Sequence, residues 1–532
     1  MSNTSNKKIT IYDTTLRDGA QGLGISFSLD DKLRIAAALD NLKIDYIEGG
    51  WPGSNPKDDL FFEKIREKKL SHAKIVAFGS TRRKNTTCEE DPLIQSLIAS
   101  KADIVAIFGK TWDFQATTAL GISPEENLTL IRDSVTYLKK KGLTVFMDAE
   151  HYFDGFKSNS EYALRAITTA YESGADMLVL CDTNGGTLPH EVVPIVEETQ
   201  KRVGGTLGVH FHNDTGVAVA NSMAAVLAGA VSVQGTINGY GERCGNCSLT
   251  TLIPNMSLKM DYKFAAAKTL AQLTEVSRFV SETANLVHAS NMPYVGGSAF
   301  AHKGGIHVSA LQRDTKTYEH IEPALVGNSR EILISELSGK SNIEFRAKEL
   351  GIDMNGKPTL SKNILDKIKK MEDEGFQFEA AGGSFELIAR GVTGEYSPFF
   401  ALRGFRVITE MDEKNTMRCE ATIKVDVDGK EEHSAADGVG PVGALDNALR
   451  KALEKFYPEI KDLQLTDYKV RVLNEKAGTS SKVRVLMDMM RDGGHWGTVG
   501  VSSNIIEASW QAMVDGIEYM LFKKHRGRRK KG

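Results

Sequence analysis

Cysteine is scarce in this chain: five among 532 residues cannot build a disulfide framework, and the scarcity fits a reducing compartment. Charge of one sign is missing too. The 66 basic and 69 acidic residues leave a net charge of -3, which argues against a nucleic-acid surface and leaves electrostatics to act locally, inside a site. No apolar run approaches the length of a membrane span. The short polar stretch of residues 1–8 has neither the apolar core of a signal peptide nor the look of a transit peptide. A cytoplasmic location is expected, with small molecules as partners and no membrane or nucleic acid. What the chain does have is length, enough for two or three domains.

Up to about residue 255 one pattern repeats: a short β-branched apolar run, a polar or glycine-containing turn, then an amphipathic stretch. The runs are Ile9–Tyr12, Ile44–Ile47, Lys74–Phe78, Asp103–Phe108, Thr144–Met147, Met177–Leu180, Leu207–Phe211 and Val231–Ile237. Between them, Leu29–Leu42, Pro124–Lys141, Ser160–Glu172, Glu191–Arg202 and Val217–Leu227 carry apolar residues at helical spacing. Eight strands alternating with helices predict an α/β fold of the (β/α)8 TIM-barrel type, with an open sheet as the alternative. The expected division is a catalytic barrel over 1–268, a helical linker or lid over 269–386, and a C-terminal α+β regulatory domain over 387–532. The last contains a duplicated ββα-type unit, each copy ending in a glycine turn and a helix, Gly443–Phe456 and Ile505–Phe522. The Lys- and Arg-rich end, Lys523 to Gly532, reads as a solvated tail.

Polar residues gather where the strands end, the face on which a barrel builds its site. Arg17 and Asp18 follow the first strand, Glu48 ends the second, Asp148 and Glu150 follow the fifth, Asp182 and Thr183 the sixth, His210 and His212 end the seventh. Alternation on a strand turns both imidazoles of His210-Phe211-His212 to one side, so they share a metal or make two hydrogen bonds. Asp18 favours the metal, since only the eighth strand separates strands one and seven, and two histidines with one carboxylate leave coordination positions open. Such an oxygen and nitrogen set admits Mg, Mn, Co or Zn. Arg17 is a cation suited to a carboxylate or carbonyl, or else a rim salt bridge. Thr183 offers a hydroxyl to a substrate carboxylate, or serves a turn. Glu150 is a candidate substrate contact. Glu242 and Asn246 project from the glycine-rich Asn238–Asn246 loop, and His302, Lys303 and His307 lie on another. A histidine there suits general base catalysis, against the plain alternative of exposed loop histidines. Cys244 and Cys247 form a lone C-x-x-C with no second pair, which reads as packing ahead of a redox or metal role.

With Thr15-Leu16-Arg17-Asp18-Gly19-Ala20-Gln21, His210-Phe211-His212-Asn213-Asp214 and Asn238-Gly239-Tyr240-Gly241-Glu242-Arg243-Cys244-Gly245-Asn246 in that order, the chain resembles the family of 2-isopropylmalate, homocitrate and citramalate synthases over nearly its whole length. The resemblance implies an acyltransferase that condenses acetyl-CoA, as co-substrate, with a 2-oxo acid on a divalent metal held by Asp18, His210 and His212, Asn246 lying near a metal-bound water. It implies that Arg17 polarises the keto group and Thr183 holds the substrate carboxylate. Glu242 and His307 match an acid/base pair, His307 on a lid that reaches a neighbouring subunit and so requires at least a homodimer, with Tyr318 on the same lid. Ile47–Lys57 and Cys181–Pro189 look like the citramalate branch, which implies pyruvate as the acid and isoleucine as the end product bound at the C-terminal module. Many relatives read Val-Gly-Phe or Ala-Gly-Phe where Gly49-Gly50-Trp51 stands, so 2-isopropylmalate and homocitrate synthesis remain the alternatives. From another class, a metal-dependent acyl-CoA lyase uses the same three ligands, and the long C-terminal module counts against it.

Overall fold

All eight expected strands form, and they close in chain order into a parallel barrel: β1 (Thr10–Asp13), β2 (Tyr46–Gly50), β3 (Lys74–Ser80), β4 (Ile104–Lys110), β5 (Thr144–Glu150), β6 (Met177–Asp182), β7 (Leu207–Phe211) and β8 (Ser232–Gly235). The structure, a computed structural model, describes residues 9–332, 340–352, 358–473 and 481–525. They divide into two compact units, Met1–Phe300 with Ile321–Ser329, and Ala301–His320 with Arg330–Gly532.

Local capping chemistry starts the barrel helices. Ser28 caps Leu29–Asn41 through a reciprocal capping box with Asp31. Asn55, Asp91 and Ser123 cap helices whose first residue is Pro56, Pro92 and Pro124, a proline position that loses no intrahelical bond. The helix expected from Ser160 does begin there: the stretch Tyr152–Glu172 is two helices meeting at a kink, where Asn159 has extended backbone angles and its Oδ1 accepts from Tyr162 N. The strand ends also extend further than their apolar runs, so Asp148 and Glu150 lie on β5 and not after it, and β2 carries on two residues past Glu48.

Alternation along the strands builds two cores. Outward residues such as Ile11, Ile47, Val105, Leu178, Val209 and Val233 pack under the helices. Inward residues, among them Tyr12, Val76, Phe78, Ile104, Phe146 and Val179, fill the barrel. Cα pairing sets Tyr12 and His210 on either side of Gln234, which brings β1, β8 and β7 to one level.

The second unit holds a short parallel pair, β9 (Ala301–His302) and β10 (Glu331–Ile332), helices including Pro358–Asp373 and Gly382–Thr393, and the duplicated module. Each copy has three antiparallel strands, one more than the ββα pattern: β11 (Ala401–Met411), β12 (Met417–Val427) and β13 (Lys430–Gly438) before helix Pro441–Leu453, then β14 (Gln464–Val472), β15 (Val483–Arg491) and β16 (Gly494–Ser502) before helix Ile505–His525. The two copies share local details as well as strand order. Both copies shift register early in the first strand, between Leu402 and Gly404 and between Leu465 and Asp467. Both turn from second to third strand on Asp-Gly, with positive φ at Asp428, Gly429, Asp492 and Gly493, as a two-residue hairpin requires. The glycine turn expected before Ile505 is in part strand: Gly500 lies within β16, where a Cβ would meet Ala508 O at 2.0 Å. Among the described residues no helix is long and apolar enough to cross a membrane.

Candidate active site

The turn after β1 is tied down before it presents anything. Asp13, fully buried, accepts from the Thr15 amide at 2.9 Å and its hydroxyl at 2.8 Å, and Thr15 Oγ1 accepts from Ile237 N at 2.9 Å, joining this turn to the loop after β8. Burial pushes the Asp13 carboxyl up to about 7. From the turn Asp18 reaches the two histidines: its Oδ2 lies 3.4 Å from His210 Nε2 and 3.8 Å from His212 Nε2. Among the described residues these three form a metal-sized cluster, with ligand atoms all within 4.8 Å of one another.

Their protonation states suit a cation. Burial, then the neighbouring His212, pushes His210 down to about 4, and burial lowers His212 as well, so both rings are neutral at pH 7. Burial works against the charge of Asp18, but Arg17 and the two histidines outweigh it and hold the carboxyl below the usual range. A carboxylate and two neutral imidazoles are what a divalent metal requires of its ligands. Asp18 Oδ1, His212 Nδ1 and Asn246 Oδ1 are buried with no hydrogen-bond partner in the protein, a condition native structures rarely leave unmet. The residues therefore fit a metal site.

Behind this cluster His210 Nδ1 bonds Gln234 Oε1 at 2.9 Å and Gln234 Nε2 donates to Asp148 Oδ1 at 3.2 Å. An amide oxygen facing Nδ1 assigns the proton there and turns the lone pair of Nε2 toward Asp18. Burial, then Glu48, pushes Asp148 up to about 8.

Arg17 is fixed as firmly. Its Nε donates to Glu48 Oε1 at 2.5 Å, and Tyr12 OH donates to Glu48 Oε2 at 2.6 Å. Its guanidinium lies 3.7 Å from the centre of the Phe78 ring, and its NH1 is 3.8 Å from Asp18. Arg17 thus makes a salt bridge and still stands beside the metal-sized cluster.

The remaining expected residues sit differently. Thr183 Oγ1 accepts from His151 N at 2.9 Å, so the turn role is real, and its O–H remains able to donate. Glu150 pairs with Lys110, its Cα partner across β4 and β5. Asn246 is buried, donates to Tyr240 O at 3.0 Å and bridges to His212. Glu242 is exposed, while Arg243 beside it pairs with Asp214 and donates to Thr183 O at 2.7 Å, holding three loops together. His307 and Tyr318 belong to the second unit, where their exposed rings stack at 4.1 Å. Cys247 is buried, its thiol pushed up to about 12, and neither it nor Cys244 joins a metal-sized cluster among the described residues. Sequence reasoning gave no role to Tyr12, Phe78, Asp148 or Gln234, and none to Glu48 beyond its place. An ionisable or amide side chain at an inward position of a buried strand was the available signal.

The chain resembles known proteins along nearly its whole length. Residues 8–280 match the HMGL-like family, 294–376 the homocitrate synthase post-HMGL domain-like family, and 379–521 the LeuA allosteric (dimerisation) domain. The chain is 54% identical to an (R)-citramalate synthase of Geobacter sulfurreducens, over 97% of this chain and 98% of the other. It is 53% identical to one of Aquifex aeolicus over the same shares. Identity to a 2-isopropylmalate synthase of Methanocaldococcus jannaschii is 32%, over 98% of this chain and 96% of the other. An HMG-CoA lyase structure from Bacillus subtilis covers 53% of this chain and 95% of its own at 19% identity, with a TM-score of 0.46. The chain belongs to the HMGL-like family, among its 2-isopropylmalate, homocitrate and citramalate synthases.

Proposed function

We propose that this chain condenses acetyl-CoA with pyruvate to give (R)-citramalate and CoA, an acyltransferase reaction in the pyruvate route to isoleucine. The observation that carries the reading is identity of 44–54% to five (R)-citramalate synthases over nearly the whole of both chains, against 32–33% to 2-isopropylmalate synthases.

In this reading Asp18, His210 and His212 hold a divalent metal, Mg or Mn ahead of Zn or Co, with Asn246 beside it. When bound, the metal would supply a Lewis acid that polarises the 2-oxo acid. Gln234 keeps His210 in the tautomer that can ligate. Thr183, whose oxygen is already engaged by His151, turns its O–H to the substrate carboxylate, and Glu150 contacts the substrate. Glu242 and His307 form the acid/base pair: a base takes a methyl proton from acetyl-CoA, and the resulting carbon nucleophile attacks the keto carbon. Negative charge then grows on the former keto oxygen. Arg17 stabilises it at no cost in reorganisation, because Glu48 and Phe78 hold the guanidinium in place beforehand. Hydrolysis of the thioester releases CoA.

The domain boundaries 1–268, 269–386 and 387–532 then separate condensation, lid and regulation. His307 and Tyr318 act as a lid, His307 serving the barrel of a second protomer in a homodimer. The LeuA-type module binds isoleucine as feedback inhibitor, and the enzyme works in the cytoplasm. The test is thiol release from acetyl-CoA by the full chain with Mg or Mn, offering pyruvate, 2-oxobutyrate, 2-oxoisovalerate or 2-oxoglutarate, with and without EDTA. Release that favours pyruvate and stops with EDTA is expected, and isoleucine should inhibit it more than leucine. Preference for another acid would overturn the substrate, and no release with any acid would overturn the reaction.

A further inference from the structure

Nothing in the chemistry above uses Gly49-Gly50-Trp51, yet the fold holds this segment tightly. A Cβ on Gly49 would lie 2.2 Å from Phe61, and one on Gly50, whose φ is +150°, would lie 2.5 Å from the Asp58 carboxyl carbon. Lys32 and Asp58, both buried, pair with each other. Lys32 Nζ donates to Gly49 O at 3.0 Å, and Asp58 Oδ2 accepts from Trp51 N at 2.9 Å. A buried ion pair thus fixes the backbone on both sides of Gly50.

Its effect is to set the indole against the aromatic interior of the barrel. The Trp51 ring meets Phe78 edge-on at 5.5 Å and Phe108 at 5.7 Å, and those two rings stack on each other at 5.5 Å. Phe78 also carries the Arg17 guanidinium. Arg17 and Trp51 therefore share one aromatic wall. Trp51 Nε1 is buried there without a hydrogen-bond partner in the protein, although a buried indole N–H usually finds one.

We infer that Trp51 is the specificity-determining residue for the 2-oxo acid: its indole closes the apolar space along the Arg17–Phe78 wall, so that an acid with a methyl side chain fits, and its buried N–H donates to that acid. The inference rests on the condensing reaction proposed above. A rigid aromatic wall can exclude an added methylene, and one methylene in an apolar pocket changes kcat/KM by roughly 10–200-fold. An unpaired buried donor favours a ligand that offers an acceptor.

The test compares kcat/KM for pyruvate and 2-oxobutyrate in the full-length wild type, Trp51→Val and Trp51→Phe, by thiol release from acetyl-CoA with Mg or Mn. Trp51→Val should raise the 2-oxobutyrate to pyruvate ratio by about tenfold or more. Trp51→Phe, which keeps a ring and loses the N–H, should raise KM for pyruvate several-fold. If Trp51→Val does not fold, Phe108→Leu, from the same wall, must move the ratio in the same direction. Wild-type turnover of pyruvate with ratios unchanged in the folded variants would overturn the role of Trp51 alone. A wild type that releases no thiol with any 2-oxo acid would overturn the reaction itself.

Discussion

Replacing Glu48 with glutamine keeps the shape of a fully buried side chain and removes the charge that holds Arg17. The carboxylate accepts from Arg17 Nε at 2.5 Å and from Tyr12 OH at 2.6 Å. A glutamine offers one oxygen and one NH2, so one of these donors is left facing a donor. Removing one partner of a buried pair costs about 3–5 kcal/mol. Asp18, 3.8 Å from Arg17 NH1, keeps one anion beside the guanidinium and places the expected loss near the lower end, about 3 kcal/mol. The Arg17→Met change leaves Glu48 buried without its cation and should cost a similar amount. In the double variant neither Glu48 nor Arg17 is left as an unpaired charge, so its loss should fall short of the sum of the two single losses by about 1–3 kcal/mol. Urea unfolding of the four proteins, followed by circular dichroism, measures the cycle. In the Glu48→Gln protein kcat/KM should also drop by about a hundredfold, since a misplacement near 1 Å is enough for that. Additive losses, within about 0.5 kcal/mol, would refute the claim that Glu48 and Arg17 act as one unit.

Other consequences are as direct. Asp148 keeps its proton up to about 8 when folded, against an ordinary 3.8; its contribution is complete below about 3.8 and is lost as pH rises through about 8, on the order of 5 kcal/mol in all. Asp148→Asn should therefore gain stability relative to wild type between pH 5 and pH 8, and a difference independent of pH in urea titrations would contradict the assignment. Saturating Mg or Mn at about 100 times the dissociation constant should stabilise the wild type by roughly 2.7 kcal/mol and leave Asp18→Ala unmoved; equal thermal shifts would remove Asp18 from the metal site. Gly50→Ala should cost at least about 1–3 kcal/mol, because an L side chain must adopt φ +150° and press on Asp58. A change in its denaturation midpoint too small to measure would show that the Lys32–Asp58 pair does not hold this segment.

The order of elements was legible because each signal is local. Apolar alternation marks strands such as Leu207–Phe211, and three- and four-residue spacing marks helices such as Pro124–Lys140. The metal-sized cluster was legible for a related reason: H-x-H sets two imidazoles on one side of β7, and closure in chain order leaves only β8 between them and Asp18. One strand of the three in each C-terminal copy was not, because β11 and β14, the first of each copy, are largely exposed along their length and so lack the clean alternation that betrays a strand with one buried face.

Sequence alone thus determined a barrel with a metal-sized cluster of ligands at its strand ends and a duplicated C-terminal module. Tertiary structure alone decided how that centre is supported. Alternation says that Tyr12, Glu48, Asp148 and Gln234 each face one side of a strand. It does not say which of them meet, since that depends on the closure and register of strands up to 222 residues apart in sequence. Closure of that kind brought Gln234 between His210 and Asp148, Glu48 between Tyr12 and Arg17, and the Trp51 indole onto the wall that carries the Arg17 cation.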